Sequence, residues 1–599
     1  MVDTPDNDIE EQADVLVFGT GAAGLTAALV AASEGLDVKV FEKSALAGGT
    51  TATSGGSLWV PGAAPILRRT PDVGVEQARS YLLGELGDWV RHDLLEAFLG
   101  ASPEAIDYLA QHSEVRFAHA TNPDYHADRP FGSATGHAIT ALPFDGRMLG
   151  ADFDRLKPPR AVFMVMGGMM VGRREIPMLL RPFSSVANFR RSAGLLARHA
   201  WDRLRYRRGT RLLIGNALVA RYMYSLRQLG VPIVYEARLI DLYQEGGRIA
   251  GAIIEKDGRR RLVKARRGVV LATGGVPHSV PLRSELMRGY PHEHSMADEG
   301  ATGDGVSAAL RAGAALDRAV SNPAYWSPAS VRHRQDGSQV LWIHGHMDRG
   351  KPGLMAVGVS GRRFVNEADS YHDFVVAMHG EGGTPVMPAY LICDHRFIRK
   401  YGLGLVRPLV SRIGAFVRDG YLIRDRSIEG LARSAGIDPV ALRETVETYN
   451  ADARNGVDNQ FGRGSRVLNR HNGDPEHRPN PCMAPIEHPP YYALPVTPCT
   501  IGTTIGLATD VDSRVLAEAG APLQGLYACG NDISSVFRGF YPGPGATLGA
   551  AVVFAYRAAR HLASGDPAGG TVSGRTGDSP TLSPPTNHAS RNTDDFQRI

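Results

Sequence analysis

The patterned part of the chain opens with Val15-Leu16-Val17-Phe18, a short and wholly apolar run followed at once by glycines. A run with no polar side predicts a central parallel strand buried on both faces. Ala22 to Ser33 is rich in Ala and Leu and predicts a helix that Gly35 stops. Val38-Lys39-Val40-Phe41 predicts a second strand, ending at Glu42. Residues 231–267 read as strand segments joined at Gly246-Gly247 and Asp257-Gly258, and Val269 to Ala272 as another buried strand. From about 319 to 489 the pattern becomes mixed, with scattered aromatics. A strand signal returns at Leu526-Tyr527-Ala528, and a helix is expected from about Ala546 to His561.

Alternating strands and helices predict an α/β protein. Both ends of the chain build one nucleotide-binding domain, with a second domain inserted between them. The expected segments are an acidic disordered leader (1–12), the first part of the nucleotide domain (13–318, with a helical basic insert at about 150–225), the inserted domain (319–489), the second part of the nucleotide domain (490–562) and a disordered tail (563–599) rich in Ser, Thr, Pro, Gly and Asp.

Glycine is the compositional outlier, at 69 of 599 residues, against roughly 7 percent in ordinary usage. No short Gly/Pro period accompanies it, so the excess points to tight turns and close backbone–ligand contacts. A net charge of +4 gives no general case for nucleic-acid binding. Cys393, Cys482, Cys499 and Cys529 show no CxxC spacing, so neither a zinc site nor a disulfide framework is expected. Six acids and no base in the first 14 residues do not make a secretory signal, and the longest apolar stretch, about 161–171, is too short to cross a bilayer. A cytoplasmic, reducing setting is the expectation.

Gly19-x-Gly21-x-x-Gly24 follows a strand and opens a helix, and Glu42 closes the next strand. Together these form the full dinucleotide context. The glycines let backbone approach a pyrophosphate at a helix N-terminus, and the acid receives a ribose diol. Two small-residue loops select FAD over NAD. One is Gly48-Gly49-Thr50-Thr51-Ala52-Thr53-Ser54-Gly55-Gly56, and the other is Ala272-Thr273-Gly274-Gly275. With no histidine in the 48–56 loop, the flavin is expected to be non-covalent. The cofactor set is completed by Ala23, Lys43, Ala237, Arg238, Leu239, Gly303, Asp304, Gly530, Asn531, Gly545, Ala546, Thr547 and Leu548. The loop Tyr541-Pro542-Gly543-Pro544-Gly545 fixes an irregular path into a helix N-terminus, where free amides and positive potential meet a ligand.

Taken in order, these motifs resemble the 3-ketosteroid Δ1-dehydrogenases of the fumarate-reductase-like flavoprotein superfamily, over about residues 13–562. Thr302-Gly303-Asp304-Gly305 and Arg363-Phe364-Val365-Asn366-Glu367 carry the resemblance further. The fold it implies is a glutathione-reductase-type, Rossmann-like FAD domain with an inserted α+β catalytic domain. The activity it implies is 1,2-desaturation of a 3-ketosteroid or similar cyclic ketone, with hydride passing to flavin N5 and an unknown electron acceptor downstream. On that resemblance, the Tyr541 hydroxyl and the Gly545 N–H polarise the carbonyl and Tyr371 removes the C2 proton. Pro123-Asp124-Tyr125 is followed here by His126, a departure, so either His126 or Tyr125 assists Tyr371. A second departure is Gly502-Thr503-Thr504-Ile505-Gly506, where relatives often carry a lysine at the third position.

Alternatives stand beside this reading. One is reduction of an activated C=C bond, as in fumarate reductases, which needs cationic clamps for carboxylates. Arg538 does not by itself supply such a clamp, because ketosteroid-type relatives carry it too. The other is a non-catalytic, membrane-associated flavoprotein. Tyr325, Trp326 and Trp342 line a substrate pocket or belong to ordinary core. The segment 181–211 holds nine arginines and one acid, Asp202, with Leu195, Leu196, Trp201, Leu204 and Tyr206 interleaved. It is either a solvated helix face or an interfacial helix docking on anionic lipid.

Overall fold

The computed structural model describes residues 9–565, apart from 173–174, 293, 335, 346–347, 381–383 and 410–412. The first strand, Ile9–Phe18, begins earlier than its apolar core suggests. Its leading residues pair with Leu262 to Ala265, so Ile9 to Gln12 of the expected leader are strand. Residues 1–8 and the tail from 566 lie outside the described residues.

The first strand lies between Val38–Phe41 and Arg259–Leu271, parallel to both. Pro522–Ala528 adds to the far side of Arg259–Leu271, also in parallel. The first half of Arg259–Leu271 turns to antiparallel pairing with Arg248–Lys256, which in turn pairs with Arg238–Glu245. These are the strands expected around Gly246-Gly247 and Asp257-Gly258. Val15 to Phe18 and Val269 to Leu271 are buried on both faces, as the unbroken apolar runs require. The helix Ala22–Ser33 covers one side and packs against the closing helix, Ala546–Ser564.

The inserted region builds its own seven-stranded sheet, in the order 339–343, 324–333, 491–503, 389–394, 354–357, with two short strands beside it. The boundary expected at 490 does not match this topology. Tyr491–Thr503 is the central strand of the second sheet, pairing with Ala324–His333 along one stretch and Ala389–Asp394 along another. The sequence reading placed it with the nucleotide domain because its pattern resumes where that domain was expected to resume. Separate apolar clusters underlie this sheet, one around Leu391, Leu494 and Trp326, another around Ile392, Leu431 and Tyr449.

Candidate active site

A long cavity opens at the carboxyl ends of the parallel strands, where Phe18, Phe41, Ala272 and Cys529 give way to loops. This is where open α/β sheets bind ligands. Gly19 has φ of +107°, and a Cβ there would sit 2.2 Å from the Ala272 carbonyl oxygen. A Cβ on Gly24 would lie 1.9 Å from the Gly19 oxygen, so this glycine lets helix and strand touch. Gly21 and Gly49 differ. A Cβ on Gly49 meets nothing within 4 Å, and one on Gly21 meets only Thr51 Oγ1 at 3.6 Å. Both leave backbone bare toward the cavity, as a phosphate cradle needs.

Glu42 is held at the cavity wall by the Thr20 N–H (3.1 Å), the Thr20 hydroxyl and the Ser44 N–H (2.8 Å). Burial raises its pKa, and the donated hydrogen bonds oppose that shift. Lys43 Nζ donates to the Gly300 carbonyl and to Asp304, both at 2.9 Å.

Of the expected cofactor residues, Gly19, Gly21, Ala23, Glu42, Lys43, Gly49, Thr50, Thr51, Ala237, Leu239, Ala272, Thr273, Gly274, Asp304, Gly530, Asn531, Thr547 and Leu548 line the cavity. Others support it from behind. Gly48 donates to Thr20 Oγ1, Ser54 Oγ accepts from the Gly56 N–H next to Gly55, and Arg238 pairs with Asp304. Gly303 caps the helix Asp304–Arg311, and Gly545 with Ala546 opens the closing helix. Gly275 donates to Asp532 at 2.7 Å. Asp532 was not expected from the sequence. Fully buried, it also accepts from Thr273 Oγ1, tying the 273–275 turn to the C-terminal segment. Asp298, Gly300, Ala301 and Ile501 line the cavity as well, and no motif marks them.

Three tyrosines from distant parts of the chain meet beyond the cradle. The hydroxyls of Tyr125 and Tyr371 are 2.8 Å apart. The Tyr541 hydroxyl bonds to those of Tyr371 and Thr547. Ring centroids are 5.3–5.5 Å apart around the triangle. Tyr325 packs against Tyr541 at 4.6 Å. Burial, then the neighbouring phenols Tyr125 and Tyr541, pushes Tyr371 well above 10. Burial likewise raises Tyr125 and Tyr541, so all three are neutral near pH 7.

Each tyrosine is fixed by its own scaffold. Ser370 caps the helix Tyr371–His379 and places Tyr371 at its first position. The preceding turn is held by a buried ion cluster. Arg363 pairs with Glu367 and Asp458, Arg463 with Glu367, and Arg349 donates to the Glu367 carbonyl. The Arg-Phe-Val-Asn-Glu motif therefore serves as a brace for Tyr371. The Tyr125 N–H donates to the Pro542 carbonyl (2.9 Å), which also accepts from the Tyr81 hydroxyl. Trp59 Nε1 donates to Asp124 at 2.9 Å, and its backbone N–H donates to the Gly545 carbonyl at 3.0 Å. Gly545 has φ of +91°, and a Cβ there would lie 2.2 Å from the Ser57 oxygen. Nothing in the sequence pointed to Trp59, Tyr81 or Asp124 as the frame of this loop.

Both ring nitrogens of His126 meet carboxylates. Its Nδ1 lies 2.5 Å from Glu85 and its Nε2 lies 2.9 Å from Asp373. Burial alone would lower its pKa, but the two carboxylates outweigh it and hold His126 at about 10. His126 is therefore a half-buried imidazolium joining the 125–126 segment to the tyrosine helix, and Tyr125 is the direct neighbour of Tyr371. Trp326 is core, wholly buried and stacked on Tyr290, and Trp342 is half-buried on an outer strand. Arg538 is committed to Asp317 at 2.7 and 2.9 Å, so it presents no free clamp for a carboxylate.

Residues 14–548 match the family model described as FAD binding domain. The chain is 38% identical over 564 residues to the 4-oxocyclohex-2-ene-1-carboxylate 5-dehydrogenase of Sinomonas cyclohexanicum, covering 92% of this chain and 93% of that one. It is 34% identical over 567 residues to the 3-oxosteroid 1-dehydrogenase of Mycobacterium tuberculosis, covering 92% and 98%. The crystal structure of the 3-ketosteroid Δ1-dehydrogenase from Sterolibacterium denitrificans, in complex with 1,4-androstadiene-3,17-dione, superposes with a TM-score of 0.85 at 33% identity, over 92% of this chain and 99% of that one. The chain belongs to the 3-ketosteroid Δ1-dehydrogenase family. It is an FAD-dependent oxidoreductase acting on CH–CH groups, of the 3-ketosteroid or cyclic oxo-acid type. The non-catalytic alternative is thereby set aside. A flavocytochrome c3 fumarate reductase superposes at a TM-score of 0.59 and 19% identity, a likeness of fold alone. Among the described residues, no helix is long and apolar enough to cross a membrane.

Proposed function

We propose that this dehydrogenase removes hydrogens from C1 and C2 of a 3-ketosteroid or similar cyclic ketone, with Tyr541, Gly545 and Tyr371 as its reacting groups. The observation that carries the reading is the contact of Tyr371 with both Tyr125 and Tyr541, directly beside a cavity suited to FAD. Bound FAD supplies the hydride acceptor. The Tyr541 hydroxyl and the Gly545 N–H, at the mouth of the closing helix, donate to the ketone oxygen and favour its enolate. Enolate character weakens the neighbouring C2–H bond, and the phenolate form of Tyr371, a minor population near pH 7, takes that proton and becomes the neutral phenol. Tyr125 positions the Tyr371 hydroxyl through the hydroxyl–hydroxyl contact. His126, engaged by Glu85 and Asp373, orients this assembly and does not take the proton itself.

Two substrates separate the readings: a 3-keto-4-ene steroid and a 4-oxocyclohexanecarboxylate, each offered to FAD-loaded enzyme with an artificial electron acceptor. Desaturation of at least one supports the proposal. Turnover of neither, with reduction of fumarate or acrylate by a reduced dye, contradicts it.

A further inference from the structure

Tyr541 is held in the site at two places, its ring and its hydroxyl, and different residues hold each. The ring is clamped. Tyr325 packs against it with centroids 4.6 Å apart, Tyr125 and Tyr371 meet it at 5.3 and 5.5 Å, and His372 at 6.0 Å. Tyr325 is itself 1% exposed, and its hydroxyl lies 2.6 Å from Ser535 Oγ. Ser535 is anchored in turn. Its N–H donates to the Thr504 carbonyl at 2.8 Å, and its Oγ accepts from the Phe537 N–H at 3.1 Å. A ring packed on this many sides cannot swing, so the phenolic oxygen has one position. What remains free is the direction of the hydroxyl proton.

That direction decides whether Tyr541 can act on a ketone. A phenol has one proton to give and lone pairs with which to receive. Burial raises the pKa of Tyr541, and the bonds from the Tyr371 and Thr547 hydroxyls oppose that shift, as bonds donated to the phenolic oxygen do. Tyr541 thus receives two hydrogen bonds and keeps its own proton for a third partner. Tyr371 gives up its share when it ionises, because a phenolate has no proton to donate. Thr547 does not titrate, so its bond is the one that persists. Thr547 is the second residue of the closing helix, directly after Ala546 and two past Gly545, the other donor proposed for the ketone. It lines the FAD cavity and shares a small void of about 20 Å³ with Tyr325, Thr503 and Ser535. The sequence motifs assign Thr547 to the cofactor alone, yet its hydroxyl is spent on the tyrosine.

We propose that Thr547 is a positioning residue: its hydroxyl donates to the Tyr541 oxygen, turns the Tyr541 proton toward the ketone and makes it a stronger donor as enolate charge develops. This inference rests on the reading of Tyr541 as the ketone donor.

The test is a double-mutant cycle on FAD-loaded enzyme, with whichever of the two ketones named above the wild type desaturates. Thr547→Val keeps the shape and removes the hydroxyl. It is expected to lower kcat about tenfold, with KM little changed and flavin stoichiometry intact, the pattern of an interaction that counts in the transition state. Thr547→Ser keeps the hydroxyl and is expected to restore most of that loss. In the Tyr541→Phe background, Thr547→Val is expected to change kcat less than about twofold, because the oxygen it serves is gone. A further loss of about tenfold in that background would overturn the inference. So would loss of FAD from Thr547→Val, which would give the hydroxyl to the cofactor. A damaged Tyr541→Phe beside an undamaged Thr547→Val overturns this inference alone, whereas a Tyr541→Phe that turns over like wild type overturns the reading beneath it as well.

Discussion

The FAD cradle and the tyrosine triangle are built on different principles. The cradle is made of backbone. Its residues cluster in short stretches after strand ends, and glycines mark where the chain must approach a ligand. The triangle is made of side chains. Tyr125 and Tyr371 are 246 residues apart, and Tyr541 comes from the loop before the closing helix. Each stands on a separate support: a proline carbonyl, a capped helix, a braced loop. A backbone site needs particular residues at particular steps, so it leaves a local pattern. A side-chain site needs only that three supports end at one point, which no local pattern records.

The predictions sharpen this contrast. The largest effect is expected at Tyr541. Tyr541→Phe removes one donor to the ketone and should lower kcat by about 10² to 10³ while FAD stays bound. Steady-state kinetics with flavin absorbance checks both halves. The next concerns pH. The base form of Tyr371 is the phenolate, and burial with neighbouring phenols raises its pKa. Its fraction therefore grows with pH, so kcat/KM should rise from neutral into the alkaline range. Tyr125→Phe removes one of the groups that raise the Tyr371 pKa and should move that rise to lower pH. An unchanged profile would remove Tyr125 from the assisting role.

On the cradle side, Glu42→Gln keeps the shape and loses the charged acceptor. FAD affinity should fall about tenfold, from the lost charge-assisted hydrogen bond, with desaturation by loaded enzyme little changed. Equilibrium dialysis of flavin measures this. The smallest effect is one of stability. His126 has its pKa raised from 6.5 to about 10 by Asp373 and Glu85. A raised cationic group contributes fully below 6.5 and loses its contribution as pH climbs through about 10. The melting temperature should fall across that window in the wild type and fall less in His126→Asn.

Much of the nucleotide domain was legible. The apolar run 15–18, the glycine turn, the acid at Glu42 and the buried strand at 269–272 each follow from burial or backbone geometry alone. The strand Tyr491–Thr503 pairs within the second sheet, which its sequence did not reveal because a strand's own pattern does not say which sheet it joins. His126 shows the same limit in the site. Beside Tyr125 in sequence, it looked like a partner for Tyr371. In space, Glu85, from the helix Val75–Leu86, and Asp373, from the tyrosine helix itself, claim both ring nitrogens. Trp59, Tyr81 and Asp532 passed unnoticed because their role is to hold other loops, and that role has no spacing.

The account turns on Tyr371 as the proton acceptor, and one comparison tests it directly. Wild type and Tyr371→Phe, each loaded with FAD to the same stoichiometry, are assayed for dye-coupled desaturation of the substrate that the wild type accepts. The account predicts full flavin occupancy and a loss of about 10² to 10⁴ in kcat. Turnover within a few-fold of wild type, or loss of FAD from the variant, would contradict it.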